Sequence, residues 1–326
     1  MGILDRIRSL FDRGRAPSAL AQWLEVPEQD LRIWLAGPPA GSDYGYHVFT
    51  IPKRRGGTRE IHAPGSLLKD LQRRIYRRLL VKLPVYAAAT GFVRGRSIVH
   101  NANPHSSQGV VINIDLAEFF PSIASSRVQK VFQALGWNRE SARILTNICT
   151  HQGRLPQGAP TSPALSNLVC RRLDTRLSKL VQTAQGRFGV GMGSYTRYAD
   201  DLTFSFPAYG RSRPRRKKPR GTPWRRPTGP SRSLIKTIAR ILEEEGFRIQ
   251  KKKRVRIQRS HQRQTVTGLV VNRSVSLPRS LRRRLRAMEH HHRLGKLVKR
   301  QQAQLQGWQA LSAMIAQQRQ KANSRA

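Results

Sequence analysis

Acidic residues, cysteines and long apolar runs are all scarce in this sequence. Only 18 of its 326 residues are Asp or Glu, against 61 Lys and Arg, which gives a formal net charge of +43. So much positive charge repels itself unless a polyanion is bound, and nucleic acid is the obvious partner. The two cysteines, Cys149 and Cys170, have no metal-ligand spacing, which predicts reduced thiols in the core.

The lack of long apolar segments bears on location. No apolar run reaches the length of a transmembrane helix, so an anionic membrane is the weaker candidate for the polyanion and no membrane association is predicted. The first 15 residues are charged and contain no apolar signal core. We therefore expect no secretion signal and a cytoplasmic protein.

The basic residues are concentrated toward the C-terminus. Residues 207–326 contain 33 Lys and Arg but only four acidic residues. Within them, residues 207–230 are mostly Pro, Gly, Arg and Lys, which predicts an unstructured basic insertion. This insertion either grips a phosphate backbone or is a charged loop without a dedicated role. From Pro278 onward, apolar residues recur at helical spacing in a basic background.

Hydrophobic periodicity predicts a mixture of helices and strands, and hence an α+β fold. Helices are predicted at residues 17–37, 67–82, 125–151 and 234–245, with a further helix after the loop that begins at residue 153. Strands are predicted at residues 46–64, 110–120, 194–206, 247–257 and 265–272. The strand at 110–120 is apolar throughout its first half, which is typical of a strand buried on both faces.

Three aspartates carry the sharpest chemical signal. Asp115 ends the apolar strand, whereas Asp200 and Asp201 lie at the predicted turn of the hairpin 194–206. Carboxylates at the ends of buried strands are costly unless they are paired or bind a metal. If the two elements are neighbours in one sheet, the three carboxylates converge, and such hard oxygen ligands suit Mg²⁺. An isolated Asp-Asp pair is more often a turn or surface feature, so the surrounding motifs decide.

Those motifs resemble the palm motifs of reverse transcriptases. The strings are INIDLAEFFPSI around Asp115, LPQGAPTSPALSNL from Leu155, and TRYADDLTFS around Asp200 and Asp201. The resemblance implies a right-hand polymerase fold in which the three aspartates are catalytic and bind two Mg²⁺ ions. It implies an N-terminal helical extension at 1–45, fingers at 46–109, a palm at 110–272 that includes the insertion, and a basic helical thumb at 273–326.

The same resemblance implies further residues that contact the incoming dNTP. Phe120 occupies the position of the steric gate, whose ring excludes the 2′-OH of a ribonucleotide, although residue chemistry alone fits Phe119 equally well. The remaining positions match the family's nucleotide-contacting loop, its triphosphate-gripping fingers and a lysine after the catalytic hairpin. They are Gln157, Gly158, Lys53, Arg59 and Lys253.

Two short strings are similar to motifs of one branch, the retron enzymes. Asn101 to His105 match their NAxxH motif, and Val266-Thr267-Gly268 match their VTG motif. This resemblance implies that Asn101, His105, Val266, Thr267 and Gly268 bind RNA. It also implies a cognate structured noncoding RNA that is both template and 2′-OH primer, a branched RNA–DNA product, and a role in phage defence with an accessory effector protein.

The basic helical region after Pro278 is expected to face a nucleic-acid duplex. Its predicted RNA-binding residues are Arg282, Arg283 and Arg286. Contacts from arginine to phosphate fix register but carry no sequence information. The triplet His290–His292 lies in the same predicted helix, where successive side chains point in different directions, so no metal site is predicted there.

One stretch departs from the family pattern. The family has approximately G-x-x-x-N-x-x-K-T after the catalytic hairpin, whereas this sequence has Gln250 in place of Asn and Arg254 in place of Thr. Lys253 is the aligned lysine, and Lys252 is the alternative. The departure leaves open which lysine donates a proton to the leaving pyrophosphate.

Three other functions compete with a retron polymerase. A group II intron or diversity-generating reverse transcriptase shares the palm motifs. A nonpolymerising RNA-binding protein on the same fold explains the charge, but it gains nothing from three carboxylates that face a polyanion. A basic architectural protein explains neither the strands nor the loop at Gln157 and Gly158.

Overall fold

A computed structural model describes residues 16–36, 43–53, 56–184, 191–207, 232–250 and 255–323, with side chains up to residue 318. The helices are α1 Pro17–Leu24, α2 Glu28–Arg32, α3 Ser66–Arg78, α4 Ile98–Ala102, α5 Ser125–Ala134, α6 Arg139–Cys149, α7 Ser162–Val169, α8 Arg171–Gln182, α9 Arg232–Glu244, α10 Arg279–Arg293 and α11 Lys299–Asn323. Short 3₁₀ helices span Ile33–Leu35, Leu80–Lys82 and Asn103–His105.

The strands are mostly short. They are β1 Tyr46–Pro52, β2 Thr58–Pro64, β3 Val110–Ala117, β4 Ser194–Tyr198, β5 Asp201–Phe206, β6 Arg248–Ile249, β7 Arg256–Arg259, β8 Thr265–Val266 and β9 Leu269–Val270. The mixture confirms the predicted α+β class. The strands lie in or close to the stretches where apolar alternation or an apolar run predicted them.

Helix ends differ from the predictions for local reasons. The helix predicted to reach residue 82 leaves the α conformation at Leu79 and continues as a 3₁₀ turn. Pro84 follows, and the residue before it, Leu83, is extended, as the proline ring requires. The stretch predicted at 125–151 divides into two helices, because Gly136 adopts a φ of 97° between them.

By its internal contacts the chain forms two units. The first consists of Met1–Arg94, Leu116–Thr175 and Leu242–Arg248, and the second of Gly95–Asp115, Arg176–Ile241 and Ile249–Ala326. These units cut across the predicted boundaries between fingers, palm and thumb, so that division stays a prediction. Nearly all of the predicted basic insertion at 207–230 lies outside the described residues.

In the first unit, α3 supports the two-stranded β1–β2 hairpin. Its apolar residues Leu68, Leu71 and Ile75 are buried and recur at helical spacing. Between them Gln72 is fully buried, and its amide donates to the Tyr46 hydroxyl of β1 and to the carbonyl of Ile148 in α6. The helix thereby fixes the hairpin at one end, while the other end is exposed.

In the second unit, β3 is the central strand of a five-stranded sheet with the order β4-β5-β3-β6, and β7 also pairs with β3. Its neighbours β5 and β7 both run antiparallel to it. Most residues of β3 are buried, including those on successive positions, so the strand is covered on both faces. This burial explains the unbroken apolar run in the sequence.

A separate apolar cluster anchors the C-terminal helices of the second unit. Leu285 and Met288 of α10 and Leu305 and Ile315 of α11 pack against the buried residues of the β8–β9 hairpin. The opposite face of α10 carries its arginines. The burial of one face and the exposure of the other confirm the helical pattern predicted after Pro278.

Candidate active site

The hairpin that carries Asp200 and Asp201 is formed by β4 and β5. Tyr198 pairs with Asp201, so Ala199 and Asp200 alone form the connecting turn. Ala199 has a φ of 58°, in the left-handed region that residues with a side chain rarely adopt. Two-residue hairpin turns demand such a conformation and usually place glycine or asparagine there. An alanine in this position indicates that the surrounding structure holds the tip in one shape.

The register of the sheet brings the predicted aspartates to one place. Asp115 of β3 lies directly opposite Asp201 of β5. Residues opposite each other on antiparallel strands have Cβ atoms about 4.5–5.5 Å apart. Asp115 is 9% exposed, whereas Asp201 is exposed and Asp200 is intermediate. The register therefore places Asp115 and Asp201 side by side, as predicted, while the convergence of all three carboxylates stays a prediction.

The fit of this site to magnesium rests on its donors. Directly opposed carboxylates supply the hard oxygen ligands that Mg²⁺ prefers, and Asp200 is the next residue along the tip. Across the described ranges, no group of three or more His, Cys, Asp and Glu side chains lies together in a way that could hold a metal ion. The paired Asp115 and Asp201 have the donor chemistry that suits the ion, but the described residues do not assemble a three-carboxylate site, and metal binding stays a prediction.

Arg197 is a site residue that the sequence reasoning missed. It precedes the hairpin tip in β4, its side chain is fully buried, and Nη1 donates to the carbonyl of Ala199 at 3.4 Å. Burying a guanidinium is costly unless its protons are shared with acceptors. It follows the buried Tyr195 and Thr196 in β4, and a lone charge in such a strand was the available signal, since it calls for a hydrogen-bond partner.

The backbone after the hairpin also reaches the site. Gln250, which replaces the family's Asn, donates its backbone N–H to the carbonyl oxygen of Asp115 at 2.8 Å. This bond holds the end of β3 whatever side chain residue 250 carries. The predicted Lys253 and its alternative Lys252 lie outside the described residues.

The loop at Gln157 and Gly158 packs against β2 in the first unit. The backbone N–H of His62 donates to the carbonyl of Gln157 at 2.9 Å. Gly158 has a φ of 135°, and a Cβ there would lie 2.6 Å from the carbonyl oxygen of His62. We predicted that Gly158 lets the backbone approach a ligand. The structure shows a close approach to protein backbone, which alone requires glycine.

The predicted triphosphate grip lies on the exposed end of the β1–β2 hairpin. Arg59 pairs with Ile51, and both Lys53 and Arg59 are exposed. The turn is closed by Lys53, whose N–H donates to the carbonyl of Gly57 at 2.9 Å. Both cations are therefore available to a ligand, which is what the prediction requires.

The structure distinguishes between Phe119 and Phe120 as candidates for the steric gate. Phe119 is only 5% exposed and its ring stacks on Phe247, with 5.8 Å between centroids. Phe120 is intermediate in exposure. Phe119 is thus a core residue, and Phe120 is the ring that a substrate can meet. This agrees with the family register, and the gating role itself stays a prediction.

The structure corrects the RNA contacts predicted for the NAxxH motif. Asn101 and His105 are fully buried and cannot reach RNA in this conformation. The two ring nitrogens of His105 lie 2.7 Å from Ser205 Oγ of β5 and 2.7 Å from Thr196 Oγ1 of β4. Because the Thr196 hydroxyl donates to the carbonyl of Asn101, its oxygen accepts from His105 Nε2–H. The motif therefore joins both strands of the hairpin that carries Asp200 and Asp201.

The VTG motif is corrected in part. Val266 is fully buried, which excludes the RNA contact predicted for it. Thr267 and Gly268 both have positive φ and form the two-residue turn between β8 and β9. Thr267 Oγ1 donates to the carbonyl of Ile98 in α4 at 3.2 Å, which ties this turn to the NAxxH helix. RNA contact by Thr267 and by the exposed Gly268 stays a prediction.

The predicted cationic face of α10 is present. Arg282, Arg283 and Arg286 are exposed, on the side away from the buried Leu285 and Met288. The expectation for the cysteines also agrees with the described residues. Cys149 and Cys170 are buried free thiols, and burial raises the pKa of Cys149 to about 12. None of the helices in the described ranges combines the length and apolarity needed to cross a membrane.

The sequence was compared with known families and proteins. The family model described as reverse transcriptase (RNA-dependent DNA polymerase) matches residues 51–271. The Retron Mx65 reverse transcriptase of Myxococcus xanthus is 39% identical, over 83% of this chain and 61% of its own length. The Retron Mx162 reverse transcriptase of the same organism is 36% identical, over 90% of this chain and 64% of its own.

A third relative, the Retron Ec86 reverse transcriptase of Escherichia coli, is 35% identical, over 78% of this chain and 72% of its own length. The chain thus spans less than two thirds of each Myxococcus relative. Among solved structures, apo telomerase from Candida tropicalis overlays with a TM-score of 0.44 at 9% identity, over 74% of this chain and 48% of that one. So weak a structural likeness carries no argument.

Proposed function

Because this chain belongs to the reverse transcriptases, and within them to the retron reverse transcriptases, we propose that it synthesises DNA on an RNA template. One observation carries the proposal. The register of the sheet sets Asp115 opposite Asp201, and Asp200 lies beside it on a tightly shaped tip. A protein that only binds RNA gains nothing from carboxylates placed together against a polyanion.

The three aspartates are the catalytic residues and would hold two Mg²⁺ ions. When bound, such ions activate the attacking hydroxyl and stabilise the leaving pyrophosphate. The protein's part is to keep the carboxylates in place. The bond from Gln250 to Asp115, the buried Arg197 and the clamp by His105 all act on the strands that carry them.

The other predicted nucleotide-contacting residues select and orient the dNTP. Phe120 excludes the 2′-OH by contact, and Gln157 donates to the nucleotide from a loop that Gly158 fixes against β2. Lys53 and Arg59 bind the triphosphate, for which the forked guanidinium of arginine is suited. Lys253 or Lys252 would give a proton to the pyrophosphate. Arg282, Arg283 and Arg286 bind the phosphates of the RNA.

The retron relatives support a more specific reaction. A cognate structured noncoding RNA would provide both the template and a 2′-OH primer, so that the product is a branched RNA–DNA hybrid. We place this reaction in the cytoplasm, in phage defence, with an accessory effector protein as partner. Shape and unpaired bases would distinguish the RNA, because phosphate contacts alone carry no sequence information.

Expression of the chain together with its flanking genomic region tests the proposal. Nucleic acid is extracted from cells with the wild type, Asp200→Ala or Asp201→Ala. The matched control is Asp70→Ala, which removes an exposed carboxylate that pairs with Arg73. We expect a short single-stranded DNA whose link to RNA is released by debranching enzyme, present in the wild type and the control and absent from both other variants.

Two other outcomes would test the polymerase activity and the retron reaction separately. DNA synthesis that occurs only on added primer and template would keep the polymerase and remove the retron reaction. Tight RNA binding without DNA synthesis under any condition would refute the polymerase itself.

A further inference from the structure

A chain of aromatic rings runs through the first unit to the predicted gate. Phe247 lies beneath the guanidinium of Arg127, 5.2 Å from ring centroid to Cζ. Phe119 stacks on Phe247, and the ring of Phe120 is 5.3 Å from that of Phe119. On its inner side the Phe120 ring therefore rests on a buried aromatic stack.

A second phenylalanine meets the gate ring. Phe92 lies in a turn distant in sequence, and its ring centroid is 6.0 Å from that of Phe120, with the planes tilted by 38°. This separation is within the range in which aromatic pairs attract each other. Phe120 thus contacts two other rings, Phe119, which is buried, and Phe92, which is 45% exposed.

The conformation of Phe92 is unfavourable on its own. Its φ is 61°, and a bulky residue with positive φ is an outlier that the surrounding structure must enforce. The preceding residue is anchored to the core, because the carbonyl of Gly91 accepts from Nδ2 of Asn167 at 2.9 Å. Asn167 is 1% exposed and belongs to α7, in the same motif as Gln157 and Gly158. Because nearly half of this strained ring stays exposed, burial alone does not account for its conformation, which points to a functional role.

We propose that Phe92 is a positioning residue that sets how strictly Phe120 discriminates dNTPs from rNTPs. Exclusion by contact works only if the excluding ring cannot retreat from the ribose hydroxyl. Phe119 contacts the Phe120 ring from the core, and Phe92 prevents the Phe120 ring from moving away from the ribose. The inference rests on the proposed polymerase function and adds a specificity-determining residue to it.

The test measures the ratio of dNTP to rNTP incorporation efficiency in single-turnover primer extension. Phe92→Gly removes the ring and relieves the positive φ, so we expect the ratio to fall by about 3- to 10-fold. Phe92→Tyr keeps the ring and should keep the ratio. Leu67→Ala is the matched control, since it removes another exposed apolar side chain of the first unit, 49% exposed.

A double-mutant cycle identifies the route of the effect. Phe120→Ala should lower the ratio further, by up to roughly 100-fold. Adding Phe92→Gly to it should change nothing more, because a residue that acts through Phe120 has no effect without it. Thermal unfolding distinguishes positioning from a structural role: Phe92→Gly should leave the midpoint within roughly 3 °C of the wild type.

Each contrary result overturns a different statement. If Phe92→Gly leaves the ratio unchanged, the proposed role of Phe92 is refuted. The same holds if Phe92→Gly lowers the ratio by the same factor in the Phe120→Ala background as in the wild type. Neither result contradicts the proposed polymerase activity. An unchanged ratio in Phe120→Ala refutes the gate and the inference with it. The absence of any incorporation by the wild type refutes the proposed function.

Discussion

His105 shows what a single buried side chain does in this protein. Its ring bridges hydroxyls of β4 and β5, which lie 91 and 100 residues away in sequence. Burial lowers its pKa to about 3, so the ring is neutral at physiological pH. The neutral ring donates from Nε2 to Thr196 and accepts at Nδ1 from Ser205. The strands that carry the hairpin aspartates are therefore joined by a residue of the NAxxH motif.

Removing this ring should weaken the second unit. We expect His105→Ala to lower the free energy of unfolding by about 2–4 kcal/mol, because it opens a cavity and leaves two buried hydroxyls without their partner. Urea denaturation measures the loss. His261→Ala, which removes an exposed histidine, should stay within about 0.5 kcal/mol of the wild type. Equal stability of the two variants would show that the clamp is unimportant.

The lowered pKa of His105 also predicts that the protein loses stability in acid. Its folded pKa of about 3 lies below the ordinary value of 6.5, so the unfolded chain binds the extra proton between these values. The stabilisation is complete above pH 6.5 and is lost as pH falls toward 3, by about 2 kcal/mol at pH 5.

His105→Gln cannot take up this proton, so its unfolding free energy should fall less than that of the wild type between pH 7 and pH 5. Burial also lowers the pKa of His151, but this contribution is present in both proteins and cancels in the difference. Parallel stability–pH curves for the two proteins would contradict a buried neutral His105.

At the scale of elements, two parts of the first unit are joined by a backbone hydrogen bond. The β1–β2 hairpin carries the predicted triphosphate grip, and the loop at Gln157 and Gly158 carries the predicted nucleotide contacts. The bond from the His62 N–H to the Gln157 carbonyl joins them. Because a glycine lies at the point of closest approach, this junction is sensitive to one added carbon atom.

Gly158→Ala should separate the loop from β2. Its Cβ would meet the His62 carbonyl oxygen at 2.6 Å, and backbone cannot move aside as a flexible side chain does. We expect a loss of about 1–3 kcal/mol of unfolding free energy together with weaker dNTP binding.

Gly295→Ala separates the two causes of this loss. Gly295 also has a positive φ, 68°, but no atom within 4 Å of an added Cβ. Gly295→Ala should therefore lose only the unfolding free energy that a positive φ costs an alanine. If both variants lose the same stability and dNTP binding is unchanged, the close approach to His62 is not what requires glycine at 158.

At the scale of the whole molecule, the net charge of +43 is the dominant property. It attracts any nucleic acid and makes binding depend on salt, because each neutralised phosphate releases counterions. The exposed arginines of α10 are placed to contribute, since the opposite face of the helix is fixed by Leu285 and Met288.

Replacing Arg282, Arg283 and Arg286 together by Gln should reduce the slope of log K against log[salt] by about 2–3 for RNA binding. The slope is measured by fluorescence anisotropy with a structured RNA between low and moderate salt. Arg73→Gln removes a cation that pairs with Asp70 and should leave the slope nearly unchanged. A triple variant with the slope of the wild type would mean that α10 does not contact phosphate.

Local patterns determined much of what was predicted correctly. The apolar run before Asp115, the alternation around Asp200 and Asp201, and the helical spacing after Pro278 each depend on neighbours within a few residues. Their strands and helices follow from that spacing, and the antiparallel pairing of β3 with β5, which begins at Asp201, brought Asp115 opposite Asp201.

The tertiary structure decided which side of each element is buried and by what. Phe119 rather than Phe120 enters the core because Phe247, more than 120 residues later, stacks on it. The buried His105 looks like an exposed, ligand-binding residue in the sequence, because its hydrogen-bond partners lie on β4 and β5, 91 and 100 residues away. A sequence specifies polar side chains, but only long-range packing determines whether water, a ligand or the protein itself satisfies them.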